Sequence, residues 1–215
     1  MKKLIVLISG SGTNLEAISN ACTKGIINGA IESVISNNPN AYGLERAKKN
    51  NLSYKVINHK KFESREKFDE ELNNYISSIE PDLIILAGFM RILGKKISDK
   101  YFGKIINIHP SLLPKYPGLD THEQVLKNND SFHGISIHYV SPELDAGPLI
   151  AQGKFPIKNN LSEEELKEKI HKIEHILYPK IIKEICDDHI HLEGNKVIFK
   201  NLKSSNNIIY ENYDL

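Results

Sequence analysis

The sequence predicts an α/β fold with a doubly wound, mostly parallel (mixed) sheet and a Rossmann-like N-terminal half. Continuous apolar runs such as KLIVLIS (3–9) and DLIILAGF (82–89) are typical of parallel strands that are covered on both faces. Segments with helical periodicity alternate with such runs over the first half of the chain, as in doubly wound folds. Later strands lie close together in sequence, which predicts antiparallel pairs and therefore a mixed sheet.

The first half of the chain predicts four strands separated by three helices. The strands are KLIVLIS (3–9), AIESVISNN (30–38), YKVINH (54–59) and DLIILAGF (82–89). The helices are TNLEAISNACTKG (13–25), AYGLERAKKNN (41–51) and SREKFDEELNNYISSIEP (64–81). We expect Thr13 or Asn14 to cap the first helix, because their side chains accept hydrogen bonds from unpaired N–H groups, and Gly25 to end it.

The second half predicts three further strands after a short helix around 98–102. They are KIINIHP (104–110), HGISIHYV (133–140) and GPLIAQGKFPI (147–157). A long helix follows over 161–187, with Ser162 as its cap and a glutamate-rich first turn that suits the helix dipole. The segment HIHLEGNKVIF (189–199) predicts a hairpin that turns at Gly194. We therefore expect one domain over residues 1–200 and a polar, disordered tail over 201–215.

Composition excludes several classes of function. The 215 residues include 28 Lys and Arg against 27 Asp and Glu, so a formal net charge of +1 predicts no nucleic-acid or membrane partner. Only Cys22 and Cys186 are present, which indicates neither a disulfide framework nor a zinc ribbon. The apolar N-terminal run is too short to span a membrane and lacks a cleavage signal. We interpret it as the first strand of a cytoplasmic protein.

The stretch SGSGTN (9–14) joins the first strand to the first helix. Its glycines allow backbone N–H groups to converge on an anion at the helix N-terminus. Leu15 breaks the dinucleotide pattern G-x-G-x-x-G, and the second strand ends in Ser-Asn-Asn where a ribose-binding acid is needed. The stretch therefore indicates a site for a small phosphate monoester, with a tight turn that binds nothing as the alternative.

The segment HKIEH (171–175) matches the H-x-x-E-H pattern of inverted zinc proteases. His171 and His175 would share one helix face and could bind zinc, with Glu174 as a base. The more ordinary interpretation is a polar face of an amphipathic helix, because no third ligand stands in an obvious helical context. A zinc hydrolase is thus the rival hypothesis from another enzyme class.

The stretch IINIHPSLLPKYPG (105–118) carries the third candidate site. Alternate strand residues point to the same face, so Asn107 and His109 lie side by side, and Pro110 keeps the chain extended. Asp145 lies in a Gly- and Pro-rich loop between two strands, where functional residues are common. An amide, an imidazole and a carboxylate around a cleft suit addition to a carbonyl group. Taken singly, each residue could instead be a strand cap, a core histidine or a turn residue.

Four segments resemble the phosphoribosylglycinamide formyltransferases of purine synthesis, within the folate-dependent formyltransferase family. They are GSGTN (10–14), LAGFMRIL (86–93), INIHPSLLPKYPG (106–118) and HGISIHYVSPELDAGPLI (133–150). The resemblance extends from about Lys3 to about Asp187. It implies a formyltransferase fold whose N-terminal half binds the nucleotide phosphate and whose C-terminal half binds folate and carries the catalytic residues.

The resemblance also implies a reaction and its catalytic residues. The substrate's glycine amine would attack the formyl carbon of 10-formyltetrahydrofolate, a co-substrate, with no metal. Asn107 would hold the formyl oxygen, protonated His109 would stabilise its charge and donate a proton, and Asp145 would raise the pKa of His109. A cis Leu113–Pro114 bond is a further hypothesis that rests on the resemblance.

The implied binding residues form two groups. Gly12, Thr13 and Asn14 would hold the nucleotide's phosphate, and Glu174 would contact the nucleotide. The folate pocket would include Asn107 and be lined by residues around the fourth strand, with help from Arg65: Met90, Arg91, Ile92 and Leu93.

His171 lies three residues before Glu174 and would share its helix face. It would donate to the ribose or phosphate of the nucleotide in place of the Gln or Lys of the relatives. A solvated histidine on an exposed turn is the equally weighted alternative.

Two alternative activities accompany this interpretation. A formyltetrahydrofolate deformylase would hydrolyse the same folate, and a degenerate family member would hold folate without transfer. The expected partners are small-molecule substrates, and the chain would act as a monomer or homodimer.

Overall fold

The computed structural model describes residues 1–158, 161–205 and 208–215. In this part of the chain, eight strands form one sheet and two more form a separate hairpin. The strands are β1 (Lys2–Ile8), β2 (Gly29–Ser36), β3 (Tyr54–Val56), β4 (Leu83–Leu86), β5 (Ile105–His109), β6 (Phe132–Tyr139), β7 (Leu149–Pro156), β8 (Ile190–Glu193), β9 (Lys196–Phe199) and β10 (Ile209–Asn212).

Helices cover both faces of the sheet. They are α1 (Thr13–Thr23), α2 (Gly43–Lys49), α3 (Arg65–Ile79), α4 (Lys95–Lys100), α5 (Thr121–Lys127) and α6 (Glu163–Cys186), with a short 3₁₀ turn at His59–Lys61. Within the described ranges, none of these helices has the length and apolar character needed to cross a membrane.

The large sheet has the strand order β10-β7-β6-β5-β4-β1-β2-β3. Strands β1 to β5 run parallel, whereas β6 pairs antiparallel with both β5 and β7. The predicted doubly wound, mixed sheet is therefore confirmed. Strand order reverses between β1 and β4, and a crevice outside the carboxyl ends of such strands is the usual place for a ligand.

Strand β1 shows why its sequence is apolar throughout. Leu4, Val6 and Ile8 belong to the core on one face of the sheet, which α6 and α1 cover. Ile5 and Leu7 belong to the core on the opposite face, which includes residues of α3. Because side chains alternate along a strand, burial on both faces requires every position to be apolar.

Helix α6 begins with the predicted cap and reaches the centre of the sheet. The Ser162 side chain accepts a hydrogen bond from the backbone of Glu165, whose carboxylate bonds the Ser162 N–H in return, which is a capping box. Farther along, the buried Tyr178 hydroxyl shares its one proton between the carbonyl oxygens of Leu86 and Ile106, at 3.0 and 3.3 Å. This contact anchors the helix beneath the strands that carry the candidate site.

The C-terminal segment differs from the expected disordered tail. Residues 209–212 form β10, which pairs in parallel with β7, and Tyr213 donates a backbone hydrogen bond to the Lys154 carbonyl. The prediction failed because strand β7 offers unpaired edge groups that only the folded sheet reveals. Residues 206–207 of the predicted tail lie outside the described residues. The hairpin β8–β9 forms with its turn at Gly194, as predicted.

Candidate active site

A cleft of about 570 Å³ opens at the carboxyl ends of β4 and β5, beside the reversal point of the sheet. The structure brings most of the predicted catalytic and folate residues into its wall. Those residues are Asn107, His109, Asp145, Met90, Arg91, Ile92 and Leu93. The residues predicted to bind the nucleotide do not line this cleft. They are Gly12, Thr13, Asn14, His171 and Glu174.

Asn107 and His109 lie on one face of β5, as the alternation predicted. Their neighbours on β6 are His138 and Ser136, respectively. The Asp145 carboxylate approaches from the β6–β7 loop, with Oδ2 3.5 Å from His109 Nδ1. An amide, an imidazole and a carboxylate therefore meet at one end of the cleft.

The electrostatics of His109 differ from the sequence-based expectation. Its side chain is almost fully buried, and this burial lowers the pKa of His109 below its ordinary value. The Tyr116 carbonyl and the Asp145 carboxylate act in the opposite direction and favour the imidazolium, but they do not outweigh burial. Asp145 favours the imidazolium as expected, yet the net shift of the His109 pKa is downward because the ring is buried. The sequence alone could not reveal this degree of burial.

Both ring nitrogens of His109 are engaged in this structure. Nε2 lies 2.8 Å from the Tyr116 carbonyl oxygen, which only accepts, so Nε2 carries a proton. Nδ1 faces Asp145. Tyr116 belongs to the turn after the Leu113–Pro114 bond, which is cis as hypothesised.

Asp145 is held in an uncommon backbone conformation. Its φ is +49°, in the left-handed region that Asp tolerates better than most residues. The Gly118 N–H donates to Oδ2 at 2.8 Å, and Gly118 itself has φ +83°. Two loops far apart in sequence thus fix the position of the carboxylate.

Three histidines near the cleft were not singled out from the sequence. His138 lines the cleft between Asn107 and Asp145. The segment HGISIHYV predicted that His138 lies on a strand but did not indicate its contacts. His122 also lines the cleft, and its Nδ1 lies 2.9 Å from Nε2 of His133. Burial lowers the pKa of His122 to about 4 and that of His133 to about 3. No local sequence pattern indicated the role of His138, because its position opposite Asn107 is set by the register of the folded sheet.

The wall predicted for folate is apolar and partly exposed. Met90 and Ile92 are 70% and 51% exposed, so large apolar side chains face the open cleft, while Leu93 is buried beneath them. The Met90 N–H donates to Ser9 Oγ at 2.8 Å, which fixes this loop against the start of loop 9–14.

The two arginines of the folate prediction have different places. Arg91 lines the cleft, with its guanidinium 5.0 Å from the ring centroid of Phe68. Arg65 lies behind the wall, where its Nη2 donates to the Ile92 carbonyl at 2.8 Å. Arg65 therefore supports the wall rather than forming it.

The glycine-rich loop requires glycine at position 12. Gly12 has φ +72°, and a Cβ atom there would lie 2.5 Å from the Cα of Gly43. Gly12 is also the N-cap of α1, so the expected side-chain cap by Thr13 or Asn14 is wrong. As in any α-helix, the first N–H groups of α1 lack intrahelical acceptors and could bind an anion.

Asn14 uses its side chain to contact helix α6 instead. Asn14 Nδ2 donates to Glu174 Oε2 at 2.9 Å, and both residues are buried. Burial raises the pKa of Glu174 to about 7, and the hydrogen bond from Asn14 only partly offsets this. Asn14 Oδ1 is also buried, and no hydrogen-bond partner for it exists among the residues that the structure describes.

His171 lies at the surface of α6. Its ring stacks on that of His175 with a centroid distance of 6.1 Å and an interplanar angle of 10°. Partial burial and the nearby Lys167 lower the pKa of His171. The described residues contain no cluster of three or more His, Cys, Asp or Glu side chains arranged to hold a metal ion.

Comparison with known proteins agrees with this geometry. The family described as Formyl transferase matches residues 2–182. The chain belongs to the formyl transferase family. This formyl transferase is 44% identical over 192 residues to the phosphoribosylglycinamide formyltransferase of Escherichia coli K12, covering 89% of this chain and 91% of that protein.

Two further relatives extend the comparison. The solved structure of a phosphoribosylglycinamide formyltransferase from Coxiella burnetii aligns with a TM-score of 0.92 and 43% identity, covering 98% of this chain and 99% of that chain. The trifunctional purine biosynthetic protein adenosine-3 of Drosophila melanogaster is 41% identical over 183 residues, covering 84% of this chain and 14% of that protein. The family and fold predicted from the sequence are therefore confirmed.

Proposed function

We propose that this formyl transferase moves the formyl group of 10-formyltetrahydrofolate to the glycine amine of 5′-phosphoribosylglycinamide, in purine biosynthesis. The observation that carries the proposal is the meeting of Asn107, His109 and Asp145 at the end of an apolar cleft. Relatives named phosphoribosylglycinamide formyltransferase match this chain over nearly their full length, which supports the choice of acceptor.

Asn107 is the proposed donor to the formyl oxygen. Its side chain is half-buried at the cleft wall, on the rigid strand β5 between β4 and β6. A preorganised donor stabilises negative charge that develops on an oxygen without further reorganisation. The amide can therefore favour attack on the formyl carbon.

His109 and Asp145 are the proposed pair for charge and proton movement. The imidazolium of His109 would lie beside the same oxygen as Asn107, and Asp145 stabilises that charged form. Because the Nε2–H of His109 already bonds the Tyr116 carbonyl, donation of that proton to substrate requires the hydrogen bond to be exchanged. Substrate that excludes water strengthens the attraction between His109 and Asp145.

The nucleotide site is proposed at the start of α1. The N–H groups of Thr13 and Asn14 suit a phosphate monoester, and Gly12 permits the close turn that exposes them. Glu174 and the unpaired Asn14 Oδ1 both accept hydrogen bonds, which suits the hydroxyl groups of a ribose. His171 is a further proposed donor to this substrate.

The folate is proposed to lie against Met90, Ile92 and Leu93, with Arg91 at the edge of the cleft and Arg65 bracing the wall from behind. A flat, largely apolar ligand suits exposed apolar walls of this kind. We also propose that the reaction needs no metal, because the folate itself carries the one-carbon unit. Two free cysteines suit a reducing, cytoplasmic setting.

The decisive experiment follows loss of the formyl group from 10-formyltetrahydrofolate by absorbance. We expect the formyl group to be lost only when phosphoribosylglycinamide is present and at the same rate after treatment with a chelator. Formyl loss without the nucleotide would identify a deformylase. Loss of activity in chelator with rescue by zinc would support the hypothesis of an H-x-x-E-H zinc hydrolase. Folate binding without turnover would identify a binding protein.

A further inference from the structure

We propose that His138 is a positioning residue: its neutral imidazole holds the Asn107 amide with the NH₂ group towards the reacting oxygen. This inference rests on the proposed function, because the reacting oxygen is that of the formyl group. His138 is a buried histidine that lies outside the proposed catalytic group of Asn107, His109 and Asp145.

The register of the sheet places the two side chains together. His138 on β6 is the antiparallel neighbour of Asn107 on β5. The His138 side chain is almost completely buried but still reaches the cleft wall. A residue held by two ladders, to β5 and to β7, cannot move away from Asn107 without distorting the sheet.

The backbone determines which tautomer His138 adopts. Its Nδ1 lies 2.9 Å from the Tyr139 carbonyl oxygen, and a carbonyl oxygen can only accept, so Nδ1 must carry a proton. In a neutral imidazole, Nε2 then has a lone pair and no proton. The Tyr139 carbonyl therefore makes Nε2 of His138 an acceptor.

This acceptor determines which end of the Asn107 amide faces it. Asn107 Nδ2 lies 3.2 Å from His138 Nε2, which suits an N–H donated to the lone pair. The reversed amide would place its carbonyl oxygen against that lone pair, and two acceptors repel each other. One N–H of Asn107 is thus used for orientation, and the second is available to the cleft.

Asp145 is a second neighbour of His138 Nε2. Its Oδ1 lies 3.7 Å from this nitrogen, whereas Asn107 Nδ2 lies 3.2 Å from it, within hydrogen-bonding range. The shorter contact makes Asn107 the hydrogen-bond partner of Nε2 in this structure.

The test compares three substitutions of His138 in the transfer assay. His138→Gln places an amide group near the former Nε2 and can still accept from Asn107, whereas His138→Asn reaches only the former Nδ1. His138→Leu fills the space without any acceptor. We expect the Leu and Asn variants to lower kcat about 10- to 100-fold with the folate KM within about twofold, and the Gln variant to recover much of the loss.

A double-mutant cycle separates positioning from general damage. If His138 acts through Asn107, His138→Leu should change kcat less than about threefold in an Asn107→Ala background. His133→Leu, which removes another buried imidazole from β6, should have the same effect in both backgrounds. Should His138→Leu fail to fold, the cycle is run with His138→Asn, which preserves polarity.

The outcomes distinguish this inference from the proposed function. Equal losses from His138→Leu with and without Asn107, or equal rates for the Gln and Asn variants, would overturn the positioning role. Absence of transfer by the wild-type enzyme would instead overturn the proposed function. Loss of kcat that is confined to the Asn107-containing background, with recovery by Gln, would support His138 as the orienting residue.

Discussion

The two halves of the site differ in how completely their buried polar groups are hydrogen-bonded. At the catalytic end, Asn107, His109 and Asp145 each have a protein partner, so their geometry exists before substrate arrives. At the nucleotide end, Glu174 has one amide partner, and Asn14 Oδ1 has none among the described residues. The first region is preorganised, whereas the proposed nucleotide end keeps one buried acceptor without a partner among the described residues.

This difference indicates where each region obtains its specificity. A satisfied network resists reorganisation and suits the stabilisation of charge during reaction. An unsatisfied buried acceptor destabilises the empty protein and is compensated when a hydroxyl donor binds, so analogues lacking that hydroxyl are rejected.

The largest effect is expected from the catalytic donor. Asn107→Ala should lower kcat by about 10²- to 10³-fold, because one preorganised donor to the developing oxyanion is lost. Binding of folate, measured by fluorescence or calorimetry, should change little. Asn107→Asp, of equal size but without the donor, should lose as much, and a near-normal rate in either variant would make Asn107 a strand residue without catalytic function.

The next effect concerns the stability of the nucleotide end. The pKa of Glu174 is raised from 4.5 to about 7, so the folded state holds a proton that the unfolded state releases between these values. The contribution of Glu174 to stability is therefore fully present at acidic pH and is lost as pH rises through this window, by roughly 3 kcal/mol. Glu174→Gln should not show this loss and should be more stable than wild type near pH 8, while binding the nucleotide more weakly.

Urea unfolding at several pH values measures this effect, and Glu168→Gln, an exposed position on the same helix, is the matched control. If the difference in unfolding free energy between wild type and Glu174→Gln does not change between about pH 5 and 8, Glu174 is ionised without penalty. This difference cancels the contribution of the buried histidines, whose lowered pKa values add stability as pH rises. The nucleotide end would then be as well satisfied as the catalytic end.

A smaller effect is expected on the charge of His109. Asp145→Asn removes a carboxylate that favours the imidazolium, so the pKa of His109, already lowered by burial, should fall further. Activity that needs the imidazolium should then decline at a lower pH than in wild type as pH rises. Imidazole proton NMR and the pH–rate profile report the two changes, and Asp145→Glu retains the charge as a control.

The smallest effect is expected at His171. A bound phosphate would favour its imidazolium against the partial burial and Lys167 that lower its pKa. The nucleotide KM should therefore be smaller at about pH 6 than at pH 8, and His171→Gln should flatten this dependence by a few-fold without changing the folate KM. Parallel curves for the two proteins would place His171 in solvent.

Local chemistry alone was sufficient for part of the site. The alternation of side chains along a strand put Asn107 and His109 on one face, and the capping box at Ser162 depends on residues three positions apart. The apolar character of β1 predicted burial on both faces. These features depend on near neighbours in sequence, so the sequence by itself determined them.

The tertiary structure decided the features that depend on distant neighbours. The Asn14–Glu174 hydrogen bond joins residues 160 positions apart, and only packing of α1 against α6 places them together. The downward pKa shift of His109 depends on burial, and the tautomer of His138 depends on which carbonyl its ring meets after folding. Strand β10 likewise formed because β7 presented a free edge. Residue types determined which chemistry was available, and desolvation and register determined which groups perform it.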